Sequence, residues 1–576
     1  MSKYAKAKIK EKKIDPFGSP ICFLMAICPF LMGLVQECWI LWSTLVVLVA
    51  LLLCVWQKRE IHLHKNPAVY TGLVMLILSI LSVFTGILHG EAVYGALRIL
   101  CAGIWVLLLM QLSDEEKSLS LTMVPEVAAV MTLVSALMFT MGSAADIVFS
   151  NGRMGGFFQY ANTFALYLLL AFVIRTQQSL TADAKDKKDR VKKYLYPVIY
   201  LIGILWSGSR TTFFLTAFVL LVILVRRKEM RKYYGILVAA GVMAVALYVL
   251  ATGKMDSIGR FLTTSLSSST LLGRILYWKD AIGLIVSHPL GLGYMGYYFI
   301  QGKVQSGVYT VAYVHNDWLQ MALDFGILFL LCFVWLFVYQ MRHTKGMKRD
   351  LLLLIGVHMI MEFDLQYFSI LWIMLLCMNW TEGKESVWDL DKKKSTKGIV
   401  IASGLLFAAI SLWMGIGNAL YEFGSYGASV SVYPWSIRAQ EKYLLDAQTA
   451  EEYETRAKRA LQLYDDDAPA LDVMALCQAE KGDYIKVEEY KRHSLQVQKY
   501  RTECYDDYIM MMDAGAELYQ QAGDQASHQK CVEALLSTPQ MLEEVKNSTS
   551  GLAYQINDKP DFTLSEKSQK ILKKYQ

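Results

Sequence analysis

Long apolar stretches separated by short polar ones fill most of this 576-residue chain. Runs of about 18 apolar residues are typical of transmembrane helices. Beyond about residue 420 the chain becomes polar and charged, with no further apolar run. The apolar segments, about thirteen in number, lie near residues 20–36, 39–56, 69–88, 93–112, 121–141, 158–174, 194–207, 211–225, 233–251, 314–341, 350–363, 366–380 and 398–418.

This pattern predicts an all-α protein, a polytopic transmembrane helix bundle of about 12–13 spans with a soluble, repeat-like helical C-terminal domain. We divide the chain into a basic N-terminus (1–19), a transmembrane core (20–419) and the C-terminal domain (420–576). Within the core, residues 252–313 form a connection of about sixty residues, and connections of that length usually carry function. We therefore expect part of the functional site in this loop.

The charges between the spans predict the orientation in the membrane. With the N-terminus inside, about 31 Lys and Arg fall on the inner side and about seven in the opposite loops before residue 420. Such an asymmetry is the positive-inside pattern of multi-pass proteins of the cell membrane. It places the N-terminus in the cytoplasm, and the loop 252–313 and the C-terminal domain outside. The basic N-terminus has no small-residue cleavage site, so we expect a retained anchor rather than a signal peptide.

Composition narrows the classes of partner and cofactor. The chain is 55% hydrophobic, its mean hydropathy is +0.33 and its net charge is +6. The excess of positive charge comes mainly from the cytoplasmic flanks of the spans. It therefore favours anionic lipid headgroups of the membrane, rather than nucleic acid, as the partner. The ten cysteines are scattered without a CxxC pair, and no zinc-type spacing occurs. We expect no metal and no cofactor.

Residues 436–576 show amphipathic helical spacing with a Gly-Asp-Tyr turn at 482–484. Small residues at helical spacing around this turn resemble tetratricopeptide repeats. Two interpretations remain open for this domain: a groove for a protein partner, or a helical cap packed on the outer face.

Charged side chains at the edges of apolar spans are costly, so they are candidates for function. Those on the predicted outer side fall into five groups: Arg153 with Asn162; the Ser209-Arg210 turn; Arg274 with Trp278; His315 with Asn316 and Asp317; and His358 with Glu362 and Asp364. Arg98, inside the fourth span, is a further candidate.

Several arginines with a histidine, without an evident cluster of carboxylates, favour chemistry on a phosphorylated substrate. Arginine forms a planar, permanently charged fork that matches phosphate oxygens. Fixed cations stabilise the negative charge that a pyrophosphate leaving group develops, without a metal. A histidine can take a proton from an acceptor hydroxyl or orient it.

Each candidate also has a structural interpretation. Arg153 and Arg210 could be interfacial anchors that extend to lipid headgroups. Arg274 could cap a helix or form an ion pair, and His315 could be a hydrogen-bonded structural histidine. His358 and Asp364 could form an internal pair that stabilises the bundle. Their joint placement on one predicted face is what favours a site.

The order and spacing of these residues resemble the O-antigen ligase and polymerase family of bacterial membrane glycosyltransferases. The resemblance covers about residues 150–370. The residues that carry it are Arg153-x-x-Gly156 with Asn162, Ser209-Arg210, Gly273-Arg274-x-x-x-Trp278, Pro289-x-Gly291-x-Gly293, His315-Asn316-x-x-Leu319-Gln320, Asp324-x-Gly326 and His358 to Leu365.

The resemblance implies transfer of a glycan from an undecaprenyl-pyrophosphate carrier to an acceptor hydroxyl, without metal or nucleotide. It implies catalytic roles for Arg210 and Arg274, which would hold the pyrophosphate, and for His315, which would activate or position the acceptor. The residues expected to bind substrate are Arg153, Asn162, Arg98, Trp278, Asn316, His358 and Asp364. Asp324 stands where the family more often has Glu.

Two other functions remain open. A transporter or flippase of lipid-linked sugars would need a charged path across the bilayer and broken helices near its midplane. A non-enzymatic assembly scaffold would work through a protein partner bound by residues 436–576. Within the enzyme interpretation, ligase and polymerase use the same donor chemistry.

Overall fold

The computed structural model describes residues 20–181, 187–226, 228–252, 269–390 and 394–576. The predicted basic N-terminus, 1–19, and the first part of the predicted external loop, 253–268, lie outside the described residues. The rest of the core and the C-terminal region are helical almost throughout, as predicted.

The first half of the core begins with helices that follow the predicted apolar runs. They are α1 (Pro20–Ile27), α2 (Glu37–Lys58), α3 (Pro67–Thr85), α4 (His89–Gln111), α5 (Asp114–Leu121), α6 (Met123–Met138), α7 (Ala145–Val148), α8 (Ala161–Thr181), α9 (Lys187–Ser207), α10 (Arg210–Arg226) and α11 (Lys228–Thr252).

The second half of the core contains shorter helices. They are α12 (Ser269–Ser287), α13 (Gly296–Val304), α14 (Asp317–Phe325), α15 (Ile327–His343), α16 (Gly346–His358), α17 (Phe368–Cys377) and the long α18 (Lys394–Glu422). Four strands form two small antiparallel pairs: β1 (Glu60–Lys65) with β4 (Lys384–Asp389), and β2 (Phe149–Ser150) with β3 (Arg153–Met154).

The C-terminal region continues with helices of 7 to 20 residues. They are α19 (Tyr426–Val432), α20 (Ile437–Leu445), α21 (Ala450–Leu463), α22 (Ala468–Glu480), α23 (Tyr484–Val497), α24 (Thr502–Gln521), α25 (Gln525–Leu536), α26 (Thr538–Ser548) and α27 (Glu566–Tyr575). Short 3₁₀ turns occur at Cys28–Phe30, Met32–Leu34, Gly142–Ala144, Gly156–Phe158, Asp364–Gln366 and Gly551–Gln555.

Five helical segments in the described part of the chain are long and apolar enough to cross a membrane: Glu37–Lys58, Pro67–Thr85, His89–Gln111, Asp114–Met138 and Lys397–Glu422. Shorter apolar helices lie at Pro20–Phe30, Ile327–His343 and Phe368–Cys377. The prediction of an all-α, multi-pass membrane protein is confirmed. Fewer helices meet the length criterion than the 12–13 predicted spans, because several spans are short or interrupted.

The predicted span 314–341 is wrong as a single helix. It is divided at Gly326, whose φ of 90° lies in the left-handed region that favours glycine. The loop before it explains the break: the amide of Ile327 donates to the carbonyl of Pro289 at 2.9 Å. A Cβ on Gly326 would lie 2.7 Å from that same carbonyl oxygen. The chain turns there, so α14 lies at an angle that a continuous helix could not have.

The predicted external loop is not the irregular polar connection that the sequence predicted. Most of its described part is helical, as α12 and α13. The apolar residues Leu272 and Leu276 of α12 are buried together with Ala553 and Ile556 of the C-terminal region. The loop and the C-terminal region therefore share a small hydrophobic core.

The main core of the bundle surrounds α8. Every side chain from Thr163 to Phe172 is fully buried, and a helix that is buried on all sides lies at the centre of a bundle. Nearby, the rings of Trp105 on α4 and Trp372 on α17 stack at 4.4 Å. The N-terminus of α8 is thus held in a rigid position at one end of the bundle.

The bundle has two distinct ends. At one end β1, which follows α2, pairs with β4, which precedes α18. At the other end Glu37, at the start of α2, contacts Asn418 near the end of α18, and Arg438 of the C-terminal region lies nearby. We call this second end the site face. The C-terminal region packs on it, with Lys303 paired to Asp466 at 2.9 Å.

The Gly-Asp turn predicted at 482–483 has a second copy at 523–524. Both glycines have a positive φ, 74° and 75°. In each copy the aspartate side chain caps the following helix, accepting from the amide of Lys486 or of Ser527. The tail therefore contains a repeated helix–turn–helix unit.

Candidate functional site

His315 lies at the junction between the predicted external loop and α14. Its φ is 51°, a conformation that a non-glycine residue keeps only where its surroundings impose it. The next residue, Asn316, caps α14 by accepting from the amide of Leu319 at 3.0 Å. The amide of Asp317 donates to the carbonyl of Met359 at 2.9 Å. The imidazole is therefore fixed beside the loop 359–367.

Glu362, in that loop, is the centre of the site. Its carboxylate accepts from the Tyr160 hydroxyl at 2.5 Å, the Asn162 amide at 2.7 Å and the Arg274 guanidinium at 2.5 Å. Nδ1 of His315 lies 3.3 Å from the same carboxylate. The Glu362 side chain is only 2% exposed. One buried carboxylate thus joins groups from three other parts of the chain.

Arg153 brings the hairpin before α8 to this centre. Its Nε donates to the carbonyl of Ser207 at 2.7 Å, and its Nη2 donates to Oδ1 of Asn162 at 2.6 Å. Burial lowers the pKa of Arg153, and the positive charges of Arg274 and Arg210 lower it further. Of the three arginines predicted from the sequence, Arg210 and Arg274 therefore both lie within electrostatic reach of Arg153.

Arg210 begins α10 and is half-buried. Unlike Arg153 and Arg274, its guanidinium has no hydrogen bond or ion pair within the described ranges. A cation beside two other cations and without a counter-ion attracts an anion. Arg210 is therefore the site arginine that is most available to a negatively charged substrate.

His358 and Asp364 form a separate buried group. His358 contacts Asp364 at 2.6 Å through Nδ1 and Thr212 at 2.9 Å through Nε2, while Thr163 donates to Asp364 at 2.8 Å. Both His358 and Asp364 have 0% side-chain exposure. Since both ring nitrogens are occupied, the structure places this pair behind the site rather than on a surface that a substrate reaches.

The structure places two other predicted residues in supporting positions. Nε1 of Trp278 donates to the carbonyl of Val314 at 3.0 Å, so α12 is fastened to the residue before His315. Arg98 lies in a different group: its Nη2 donates to the carbonyl of Gln366 at 2.7 Å, and its Nη1 lies 4.0 Å from Glu37. It does not contact Glu362.

The sequence did not predict the central carboxylate. Glu362 appeared there only as a neighbour of His358, and a cluster of carboxylates was not expected. In the structure Glu362 lies close to Asp364 and Asp317 in space. Tyr160 was missed as well. The sequence did contain a signal for Glu362, which is an acidic residue at the end of an apolar run. An acidic side chain in that position is costly unless it is paired.

Among the described residues, no group of three or more His, Cys, Asp or Glu side chains is arranged to hold a metal ion. A large apolar cavity of about 270 Å³ lies next to the site, between α3, α4, α15 and α17. Its polar lining includes Arg98, Asp317, Asp324, Gln366 and the hydroxyl-bearing Tyr294. The cavity therefore has an apolar interior and a polar end, which includes Asp317, two residues after His315 in the chain.

Comparison with known proteins finds a family that covers part of the core. Residues 195–334 match the model of the family described as O-antigen ligase. The matched segment contains Arg210, Arg274, Trp278 and His315, whereas Glu362 lies beyond it. No curated protein matches the chain. Over this segment the chain is similar to the O-antigen ligase family, and its long apolar helices make it a multi-pass membrane protein.

Proposed function

We propose that the protein transfers a glycan from an undecaprenyl-pyrophosphate carrier to an acceptor hydroxyl at the outer face of the cell membrane. The observation that carries this proposal is the gathering of three arginines beside His315: Arg274 and His315 contact Glu362, and Arg153 lies within electrostatic reach of Arg274 and Arg210. The reaction proceeds without a metal, because fixed arginines neutralise the leaving group.

The arginines have different roles in this mechanism. Arg210, with no partner in the described part of the chain, binds the pyrophosphate first. Arg274 is held by Glu362 at 2.5 Å with its guanidinium only 12% exposed, so its orientation is set before substrate arrives. Preorganised cations of this kind stabilise the charge that develops in the transition state more than they stabilise the ground state.

His315 acts as the base that activates the acceptor. Its Nδ1 faces the Glu362 carboxylate, which fixes the tautomer and stabilises the imidazolium. Nε2 takes the proton from the acceptor hydroxyl as its oxygen bonds to the anomeric carbon of the glycan. The bond from that carbon to the pyrophosphate oxygen breaks, and the electron pair leaves with undecaprenyl pyrophosphate, whose charge the arginines neutralise.

The apolar cavity supports a lipid-linked donor. Its walls are apolar side chains of α3, α4, α15 and α17, and Asp317 lines the end that adjoins Asn316 and His315. A polyprenyl chain in the cavity would place its pyrophosphate at the polar end. This arrangement favours a lipid-bound sugar over a soluble nucleotide sugar as the donor.

The proposed outward orientation of the site is inferred from the charges of the loops. Basic residues such as Lys58, the last residue of α2, and Arg59, which precedes β1, lie at the end of the bundle opposite the site face. By the positive-inside rule that end faces the cytoplasm. The site and the C-terminal region then face outward, where glycans on lipid carriers are assembled into envelope polymers.

The test uses the purified protein in liposomes that contain the lipid-linked donor and an acceptor glycan. Arg210→Ala, Arg274→Ala and His315→Ala should each lower the rate by at least about 100-fold. Arg231→Ala is the matched control, because Arg231 is exposed and bonds only backbone carbonyls of α10. Normal product from all three site variants would contradict the proposed function.

A further inference from the structure

The first helices of the C-terminal region bring an arginine between two buried carboxylates of the membrane core. Nε and Nη2 of Arg438, on α20, both lie 2.9 Å from Oε2 of Glu91, at the start of α4. Nη2 also lies 3.8 Å from Glu37, at the start of α2. The Glu91 side chain is 0% exposed and that of Glu37 is 5% exposed. The core therefore depends on a cation that the tail supplies.

Arg98 completes this group on the other side. It lies 4.0 Å from Glu37, and it donates to the backbone carbonyl of Gln366 at 2.7 Å and to the Gln366 side chain at 3.1 Å. Within ion-pair distance, two arginines face two glutamates, so the charges of these four groups balance. The Glu422 carboxylate also lies near Glu37 and Arg438, and the Gln36 side chain donates to it at 2.8 Å. In this arrangement one nitrogen of Arg98 is directed at Gln366 rather than at a carboxylate.

Gln366 lies at the end of the loop 359–367, which presents Glu362 to Arg274 and His315. A second attachment of the same loop is Asp317, whose Oδ2 accepts from the amide of Leu365 at 2.9 Å. Asp317 holds the loop from the side of α14, and Arg98 holds it from the side of α4. The position of the central carboxylate therefore depends on both attachments.

We infer that Arg438 is a positioning residue of the transferase site, acting through Glu37 and Arg98 on the loop that carries Glu362. Without Arg438, two buried carboxylates share one cation. A buried charge without a partner is strongly unfavourable, so Arg98 moves toward the carboxylates and releases Gln366. The C-terminal region thus helps to set the position of the loop that carries Glu362. The catalytic consequence rests on the proposed function, whereas the effect on the loop does not.

The test compares the full-length parent protein with Arg438→Met, which removes the charge, and with Arg438→Met combined with Glu91→Gln, which restores the balance. Arg501→Met is the control, since Arg501 is an exposed tail arginine that bonds Gln498. Hydrogen exchange of residues 359–367 reports on the loop directly. The kcat and the KM for the lipid-linked donor are measured on the same samples.

We expect Arg438→Met to increase exchange in 359–367 and to lower kcat by about tenfold to 100-fold with a smaller change in KM. The double variant and Arg501→Met should resemble the parent. Unchanged exchange in Arg438→Met, or no recovery in the double variant, would overturn the inference. If Arg438→Met does not fold, the double variant provides the test. Hydrogen exchange in residues 359–367 as slow as in the parent supports the inference, and faster exchange contradicts it.

The two proposals fail in different ways. If the parent transfers no glycan from the lipid-linked donor but exchange follows the expected pattern, the proposed function is wrong and the positioning role of Arg438 stands. If the parent is active and Arg438→Met changes neither kcat nor exchange, the positioning role is wrong and the proposed function stands.

Discussion

At the residue scale, a single carboxylate organises the site. Glu362 is bonded by Tyr160, Asn162 and Arg274 and faces His315. Its partners come from positions that are up to 202 residues away in the chain. The sequence predicted the arginines and the histidine because their charges are conspicuous beside apolar spans. It could not predict the residue that joins them, since proximity across such distances is set by packing.

Glu362→Gln should keep the size of the side chain and remove its charge. His315 would lose the group that stabilises its protonated form, so we expect kcat to fall by about 100-fold or more. The KM for the donor should change less, because Arg210 does not contact Glu362. Steady-state kinetics in liposomes measures both constants, and a normal kcat in the folded variant would contradict the role assigned to Glu362.

Arg274→Ala and Arg210→Ala should differ in their effect on stability. Removing Arg274 leaves the Glu362 carboxylate, only 2% exposed, without its ion partner, which costs about 3–5 kcal/mol in the free energy of unfolding. Arg210 has no partner in the described part of the chain, so its removal should change that free energy by about 0.5 kcal/mol or less. Thermal unfolding in one detergent compares the two, and equal losses would contradict the assigned contacts.

At the element scale, broken helices shape the site. The break at Gly326 lets α14 begin with Asn316 and Asp317 against the loop 359–367, while α15 continues into the bundle. The apolar pattern alone predicted one continuous span. That pattern carries no information about a glycine that is needed because another loop packs closely against its backbone. The same limitation applies to α12 and α13, which the sequence presented as a loop.

Gly326→Ala should be strongly destabilising. The left-handed φ of 90° costs a non-glycine residue about 1–2 kcal/mol, and the added Cβ would lie 2.7 Å from the Pro289 carbonyl oxygen. Gly235→Ala is the control, because among the described residues no atom beyond the neighbouring backbone of its own helix lies within 4 Å of a Cβ at that position. A drop in the unfolding temperature for Gly326→Ala alone is expected, and equal temperatures for both variants would contradict the explanation of the break.

The tail contains an acidic pair that makes its stability depend on pH. Burial and the nearby Asp467 carboxyl raise the pKa of Glu441 from 4.5 to about 9. Because the pKa is higher in the folded state, the stabilising contribution is fully present below about pH 4.5 and is lost as the pH rises through about 9. Glu441→Gln should reduce the fall in unfolding temperature between these limits. Glu566→Gln, near the C-terminus, serves as the control, and an unchanged pH profile for Glu441→Gln would contradict the shift.

At the scale of the whole molecule, the site and the C-terminal region share one end of the bundle. The ion pairs of Lys303 with Asp466 and of Arg438 with Glu91 hold them together. Of the two interpretations of the C-terminal domain, these contacts favour a helical cap packed on the core. A groove for a protein partner is a separate proposal. The contacts also mean that deleting the tail removes part of the core's charge balance.

Orientation can be tested with a reporter enzyme that is active only outside the cytoplasm. A fusion after residue 576 should be active, and an insertion at Lys345, between α15 and α16 at the opposite end, should be inactive. The physical reason is the excess of Lys and Arg at that opposite end. Activity only from Lys345 would reverse the predicted orientation and place the site inside.

The sequence by itself determined the class of molecule: an all-α, multi-pass membrane protein in which residues 195–334 are similar to the O-antigen ligase family. Apolar run length, charge asymmetry and local motifs are one-dimensional properties, so they can be recognised without a structure. Only the tertiary structure decided that Glu362 joins the arginines to His315, that Gly326 divides a span, and that Arg438 of the tail neutralises carboxylates of the core. Each of these features depends on burial and on contacts between segments that are distant in the chain. The free-energy cost of a buried charge, for example, depends on which groups surround it once the chain has packed.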